Sequence, residues 1–417
     1  MLIYLIIINL KVNEMKKVIF LVDMNSFFIS CEMTRHPELS GKPAAVAGDP
    51  KKRTGIILTA NYEARKYGVK TTMPVGQALK LCPDMVLLPP DHRFYSETSR
   101  QVMEILASFT PVVQENSIDE AWLDMTGCEG LFGDPRTSAE LIMKTLQDEL
   151  GLPCSIGISE NRFLSKMASE MKKPLGITEL WKKDIEEKLW PLPVGDMYGV
   201  GKQTADKLNA LGIFTIGDLA RSDLDSIAAR LGKWGSDLHS LANGLDGSEI
   251  APHAHESAKS IGRSVTLAQD ITDLESARTI LLRLSEDVGR SARKHGLKGR
   301  TVQISIKYAD FKTITRQSTV HPTCHTNEIF EHGFELLKKN WNSRKPVRLL
   351  GISLSGFEEE QAVQQLSMFG SEMKNKNDEK LGKLENALDG LRDKYGKAIV
   401  NRAVLMKKEK GSENQQN

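Results

Sequence analysis

KVIFLVDMNSFF, residues 17–28, is a near-continuous apolar run that ends in a carboxylate and turns polar before two phenylalanines. Unbroken apolar character over so short a stretch describes a buried strand, and Asp23 stands at its end. Asn25 and Ser26 follow, and both residue types cap helices, so the stretch predicts strand, sharp turn, helix. Backbone N–H groups gathered at such a turn suit an anion.

Working outward, helical periodicity covers 93–108, strands are predicted at 112–116 and 118–125, a helix at 136–150 and a strand at 154–159. Strand, helix, strand, strand, helix, strand is the order of a ferredoxin-like layer, with residues 27–89 inserted after the first strand. Residues 181–250 are predicted to form a small all-α domain, broken by Gly199, Gly201, Gly212, Gly217, Gly232 and Gly244. APHAHESA at 251–258 has no periodicity and is expected to be a linker. Two helical patterns and strands such as 301–308 and 347–354 then make a second α/β domain ending near Phe357. From 358 a mobile terminus is expected, interrupted by a helix at 380–394.

At 417 residues the chain exceeds a single core, and 40% hydrophobic with 26% charged residues is globular rather than disordered. Cys31, Cys82, Cys128, Cys154 and Cys324 are odd in number and far apart, with no C-x-x-C pair. That pattern excludes a zinc ribbon or disulfide framework and fits the reduced thiols of a cytoplasmic protein. The opening MLIYLIIINL lacks a basic flank and a cleavage site and is too short to span a bilayer. Met15 precedes the first strand, so residues 1–14 are expected to be an upstream-start artefact or a frayed end; a weak membrane or partner anchor is the alternative. Net charge is only +2, but residues 258–357 hold 17 Lys and Arg against 9 Asp and Glu, a candidate phosphate-binding surface.

The chemistry-bearing residues are Asp23 and the Asp119–Glu120 pair of S-I-D-E, which neighbouring strands of one sheet can bring together. Three carboxylates in one cleft repel unless cations neutralise them. Mg²⁺ prefers such oxygen ligands, and two ions about 3.5–4 Å apart can drive phosphoryl transfer. Taken singly, each is more simply a strand-end carboxylate capping a turn. N-Y-E-A-R at 61–65 sets Tyr62 and Arg65 one helical turn apart, able to grip phosphate oxygens together. F-L-S-K-M-A-S-E-M-K-K-P at 163–174 offers Lys166 as a further point charge.

Together with S-I-G-I-S-E-N-R-F-L-S-K-M-A-S, G-V-G-K-Q-T-A-D-K-L and P-V-R-L-L-G-I, these stretches closely resemble the Y-family DNA polymerases, in their DNA polymerase IV branch, from Lys16 to Phe369. The resemblance implies an α+β multidomain, right-hand polymerase. Its parts would be a ferredoxin-like palm at 16–26 and 90–178, small fingers at 27–89, a helical thumb at 179–250 and an α/β little finger at 259–357. Asp23, Asp119, Glu120 and the Met24 carbonyl would hold two Mg²⁺ ions, with Mn²⁺ able to substitute. Tyr62, Arg65 and Lys166 would hold the triphosphate. Phe27 and Phe28 would border the nucleotide, with Phe28 the steric gate that excludes ribose and Phe27 the better fit to a helix core. Leu58 stands where several relatives carry a small residue over the nascent base pair, which implies a narrower range of tolerated lesions.

G-V-G-K at 199–202 resembles a helix-hairpin-helix, in which Gly199, Gly201 and Lys202 would approach a DNA phosphate; an ordinary helix-initiating turn looks the same. Q-L-S-M-F at 365–369 resembles the peptide by which bacterial polymerases dock on the sliding clamp, through Gln365, Leu366, Met368 and Phe369; a core fragment of the second α/β domain is the alternative. The implied function is low-fidelity translesion synthesis without proofreading, by a cytoplasmic monomer acting on primer-template DNA and deoxynucleoside triphosphates. A nucleotidyl cyclase or phosphodiesterase, and a non-catalytic DNA-binding factor, are the alternatives.

Overall fold

The computed structural model describes residues 16–49, 55–251, 258–342, 344–357, 371–396 and 399–402. The opening run is β1 (Ile19–Met24), buried along its whole length. Phe20, Val22 and Met24 enter one core, while Ile19 and Leu21 meet Trp122 on the other face. Burial of both faces is why the run is continuous rather than alternating.

α1 (Phe27–Arg35) follows, then β2 (Ala44–Ala47), β3 (Ile57–Ala60), the single turn α2 (Tyr62–Arg65), α3 (Val75–Leu81) and β4 (Val86–Leu88). These strands form a small sheet in the order β3-β2-β4. Next come α4 (His92–Phe109), β5 (Val113–Ser117), β6 (Glu120–Asp124), α5 (Glu129–Phe132), α6 (Pro135–Leu150), β7 (Cys154–Ser159), α7 (Arg162–Met171) and β8 (Ile177–Glu179). The larger sheet runs β5-β6-β1-β7-β8, the strand order of a ferredoxin-like layer with β8 added at one edge. β1 lies between β6 and β7, antiparallel to both.

The expected division between 26 and 27 does not separate two cores. Phe27, Ile29, Cys31, Ala44 and Val46 pack with β1, whereas Ala45 and Ala47 turn to a second cluster with Ile57 and Ala60. Successive strand residues face opposite sides, so β2 belongs to both clusters. The helical region contains α8 (Lys202–Asn209), α9 (Ile216–Arg221), α10 (Leu224–Leu231) and α11 (Lys233–Ala242), and its core takes in Phe163, Leu164 and Met167 of α7.

The chain divides into two compact units, the second beginning at His255. It contains β9 (Ser260–Ile271), α12 (Leu274–Lys294), β10 (Gly299–Tyr308), β11 (Thr313–Thr323), α13 (Thr326–Asn340), β12 (Val347–Phe357) and α14 (Ser371–Tyr395). Its sheet runs β11-β10-β12-β9. α14 contains the helix expected at 380–394, and over that helix the chain is held down rather than mobile. Its Glu385 is buried, with Oε2 2.8 Å from His325 Nδ1 and 3.1 Å from Arg293, and Oε1 accepting the Thr326 N–H at 2.9 Å. Arg293 also donates to Asp389 at 2.8 Å. The acidic residues that hold this helix down sit in a lysine-rich, weakly amphipathic stretch that looks solvated in sequence. The 1–15 extension and the 365–369 peptide lie outside the described residues. Among the described residues no helix is long and apolar enough to cross a membrane.

Candidate active site

Asp23 and Glu120 are register partners in β1 and β6. Directly opposed residues of an antiparallel pair project from the same face, which puts both carboxylates on one side of the sheet. Asp119 lies in the turn before β6, where its carbonyl accepts the Met24 N–H at 2.8 Å and its Oδ1 accepts the Ser117 hydroxyl at 2.5 Å. Asn116 donates to Glu120. S-I-D-E is thus a hairpin turn fastened to the end of β1.

α7 brings a cation to these acids. It packs so closely on β7 that a Cβ on Gly157 would lie 2.0 Å from the Ser165 carbonyl oxygen and 2.4 Å from the Ser169 nitrogen. Glycine is what that approach requires. Lys166, on the packed helix, has its Nζ 2.6 Å from Glu120, 2.9 Å from Glu170 and 3.3 Å from Asp23. Lys173, which sequence reasoning did not single out, reaches Asp23 at 2.8 Å and Glu170 at 2.9 Å. Its signal was the K-K-P directly after the helix.

Asn25 does not cap α1. Its Oδ1 accepts the Leu175 N–H at 2.9 Å and its Nδ2 donates to the Ser155 hydroxyl at 3.0 Å, fastening the segment after Lys173 to β1 and β7. Ser26 holds the cap position with φ 50° and ψ 46°, without a side-chain cap bond.

Burial pushes the Asp23 carboxyl above its ordinary range, even against the opposing pull of Lys173 and Lys166. Burial disfavours the Lys166 ammonium, but Glu120 and Glu170 outweigh it and raise its pKa. Glu170 is buried too, yet Lys166 and Lys173 hold its carboxyl below the usual range. The two lysines therefore outweigh burial at Glu170 and only oppose it at Asp23.

From the small sheet, Asn61 caps α2 by accepting the Ala64 N–H at 3.0 Å. Arg65 donates to the Ala60 carbonyl at 2.9 Å and sits 5.0 Å from the Tyr62 ring centre. Burial raises the Tyr62 phenol, which feels the charges of Arg65, Lys173 and Asp23, so the inserted segment does reach the acidic cluster. Phe27, expected beside the nucleotide, is in the core at 2% exposure. Phe28 is half-buried and stacked on Tyr95. Leu58 packs against the first core from β3.

Among the described residues no three His, Cys, Asp or Glu side chains converge as a ready-made ion cage; the acidic oxygens turn to Lys166 and Lys173 instead. The donor chemistry nevertheless fits divalent Mg²⁺, being carboxylate oxygen at three neighbouring positions, two of which, Asp23 and Glu120, already draw in lysine ammoniums. Alongside runs an open groove of about 420 Å³, lined by Ser96, Ser99, Glu115, Asn116, Ser117 and Ile118.

Gly199 has φ +91° and lies against Trp234, and Gly201 caps α8, whose first residue is Lys202. These residues are therefore in a helix-initiating turn. In the second unit, Val302, Ile304 and Ile306 of β10 face the core, which turns Thr301, Gln303 and Ser305 to the opposite face. Thr315, Ser353, Ser264 and Gly262 join them there through the register. That face is small and hydroxyl-rich, with Lys307 at its end by the same alternation, and is suited to close contact with a phosphate backbone.

The impB/mucB/samB family model matches residues 22–170, its C-terminal domain model 258–368, and the IMS family HHH motif 182–213. The chain is 60% identical to the DNA polymerase IV of Clostridium kluyveri, covering 95% of this chain and 100% of the relative. It is 54% identical to the DNA polymerase IV of Alkaliphilus oremlandii, over 94% and 100% of the two chains. It is 44% identical to the DNA polymerase IV 1 of Bacillus subtilis, over 94% of each. In fold it matches a Y-family DNA polymerase chimera with a TM-score of 0.73 at 24% identity, over 82% of this chain and 99% of that one. With strand pairing, carboxylate placement and near full-length identity in agreement, the chain belongs to the Y-family DNA polymerases, in their bacterial DNA polymerase IV branch.

Proposed function

We propose that this DNA-directed DNA polymerase performs translesion synthesis, extending a primer by attack of its 3′-hydroxyl on the α-phosphorus of a deoxynucleoside triphosphate, with release of pyrophosphate. The observation that carries the reading is the opposed pair Asp23 and Glu120, with Asp119 in the adjoining turn. Two Mg²⁺ ions, or Mn²⁺ in their place, when bound by Asp23, Asp119, Glu120 and the Met24 carbonyl, supply Lewis acidity to the attacking and leaving oxygens.

The chain's own residues do the positioning. Lys173 and Lys166 reach the acidic cluster and Tyr62 with Arg65 flanks it, so the four offer cationic and hydroxyl donors to the triphosphate. The turn at Ser26 presents backbone N–H groups to the same anion. Phe28 closes the sugar side and excludes a 2′-hydroxyl by shape. Gly199, Gly201, Lys202 and the hydroxyl-rich sheet face would hold the DNA backbone without reading its sequence.

The proposed modules are palm 16–26 and 90–178, fingers 27–89, thumb 179–250 and little finger 259–357. Fingers this short close loosely over the new pair, which supports low fidelity, and these modules account for polymerase activity without a proofreading nuclease. Gln365, Leu366, Met368 and Phe369 would dock a cytoplasmic monomer on the sliding clamp.

Primer extension with Mg²⁺ on a defined template, comparing the native chain with Asp119→Ala, tests the reading. Extension by the native chain and a loss of at least about a hundredfold in the variant are expected. Absent extension by both, with primer-template binding intact, would move the protein to a non-catalytic DNA-binding role.

A further inference from the structure

Phe28 does not stand alone. Its ring is stacked on Tyr95 with centroids 4.5 Å apart and planes inclined by 14°, and His92 meets it edge-on at 6.0 Å. Tyr95 is fully buried, and its hydroxyl donates to Glu32 Oε1 at 2.5 Å. Phe28 and Glu32 lie on α1 at i and i+4, one turn apart on one face. Tyr95, from α4, therefore bridges two successive turns of α1, ring to ring at one end and hydroxyl to carboxylate at the other.

Glu32 itself calls for an explanation. It is 5% exposed in an apolar core, and no Lys or Arg pairs with it among the described residues. A buried carboxylate without a cation is costly, and a single phenol hydrogen bond offsets only part of that cost. An apolar residue of similar size would stabilise α1 better. What the carboxylate adds is direction: a short, charge-assisted bond fixes the Tyr95 ring in rotation and depth.

We infer that Glu32 and Tyr95 are positioning residues for sugar selection, a rigid backing that holds the Phe28 ring against the incoming sugar. This rests on the steric-gate reading of Phe28. A wall that excludes one hydroxyl must not yield by a fraction of an ångström, and a ring free to tilt would yield. The stack prevents tilting, and the Glu32 bond prevents the stack from sliding.

The test is the ratio of kcat/KM for a deoxynucleotide to that for the matching ribonucleotide, measured on the full chain with primer-template DNA. Tyr95→Phe keeps the ring and removes the hydroxyl; Glu32→Leu removes the carboxyl; Glu32→Gln keeps an acceptor. Tyr95→Phe and Glu32→Leu are expected to lower the ratio about tenfold while deoxynucleotide kcat/KM changes less, with the double variant no worse than either alone. Glu32→Gln is expected to stay within about twofold of native, a rescue that a merely structural carboxylate would not produce. If Glu32→Leu does not fold, Tyr95→Phe against Glu32→Gln carries the same decision. Phe28→Ala is run beside them. If it lowers the ratio and neither Tyr95→Phe nor Glu32→Leu does, the gate stands and the inference is overturned. If Phe28→Ala leaves the ratio native, the gate reading falls and the backing role falls with it.

Discussion

Asp23 and Glu120 face each other across β1 and β6, with the Lys166 ammonium 3.3 Å from one and 2.6 Å from the other. Ninety-seven positions apart in sequence, they are neighbours only because S-I-D-E is the hairpin turn beside β1.

Asp23 carries a stability cost that the proposed metal-binding role would explain. Its carboxyl titrates above the ordinary value because burial outweighs Lys173 and Lys166. For a raised acid, the favourable contribution is present below the unfolded pKa and is lost as pH rises through the folded one. Ionised Asp23 therefore destabilises the metal-free fold at neutral pH. Asp23→Asn should raise stability in a chelator by roughly 0.5–2 kcal/mol while abolishing primer extension. Thermal melting with EDTA checks this; an unchanged or lower melting temperature would mean that the lysines already compensate.

The two lysines should separate by role. Lys173→Ala removes the more accessible ammonium and is expected to raise the deoxynucleotide KM about tenfold with a smaller effect on kcat, as loss of uniform binding does. Lys166→Ala leaves Glu120 and Asp23 partly buried without their closest shared cation and should cost about 3 kcal/mol of stability. Steady-state kinetics and chemical denaturation of both variants distinguish the two. Equal KM effects with no stability difference would contradict the assignment.

Gly157→Ala should displace α7 from β7, because its methyl would meet backbone atoms that cannot move independently. A loss of about 3 kcal/mol is expected, and a shift of Lys166 by an ångström could lower extension about a hundredfold. Gly130→Ala, with open space around the new methyl, is the control and should be neutral. Melting and extension assays on the pair decide it.

Glu385 should make the docking of α14 pH-dependent. Burial pushes its carboxyl up, but His325, the Thr326 N–H and Arg293 together hold it below its usual value. A depressed acid contributes stability above its unfolded pKa, near 4.5, and that contribution is lost as pH falls through the folded value. Arg293, His325, Asp389 and the Cys324 thiol surround Glu385 at this contact, and Arg290 with Asp393 and Glu286 with Arg392 pair α12 to α14 farther along. Hydrogen exchange of residues 380–395 should accelerate below about pH 4.5. At neutral pH Glu385→Gln should weaken the docking by about 3 kcal/mol without exposing β10 or β12. Exchange of the whole unit together would show that α14 is not a separate element.

Deleting 365–369 should reduce clamp-stimulated synthesis and spare basal extension, measured with and without the clamp ring. Equal loss of both would remove the docking role.

The sequence by itself determined the local pieces: a buried strand ending at Asp23, the acidic pair Asp119 and Glu120 beside a second strand, and a helical turn carrying Tyr62 and Arg65. Each is written in residue type and spacing over a few positions, which is the range of a strand or one helical turn. Tertiary structure alone decided that Asn25 fastens Leu175 rather than capping α1, that Lys173 reaches Asp23, and that Tyr95 joins Phe28 to Glu32. It also decided that Glu385 is buried on His325 and Arg293. These pairs come from separate elements, and each involves a polar residue that a solvated surface would carry equally well. Periodicity says which face of an element is apolar. Only the packing of one element on another says which polar side chain is enclosed with a partner, because burial is what turns an ordinary charge into a specific contact.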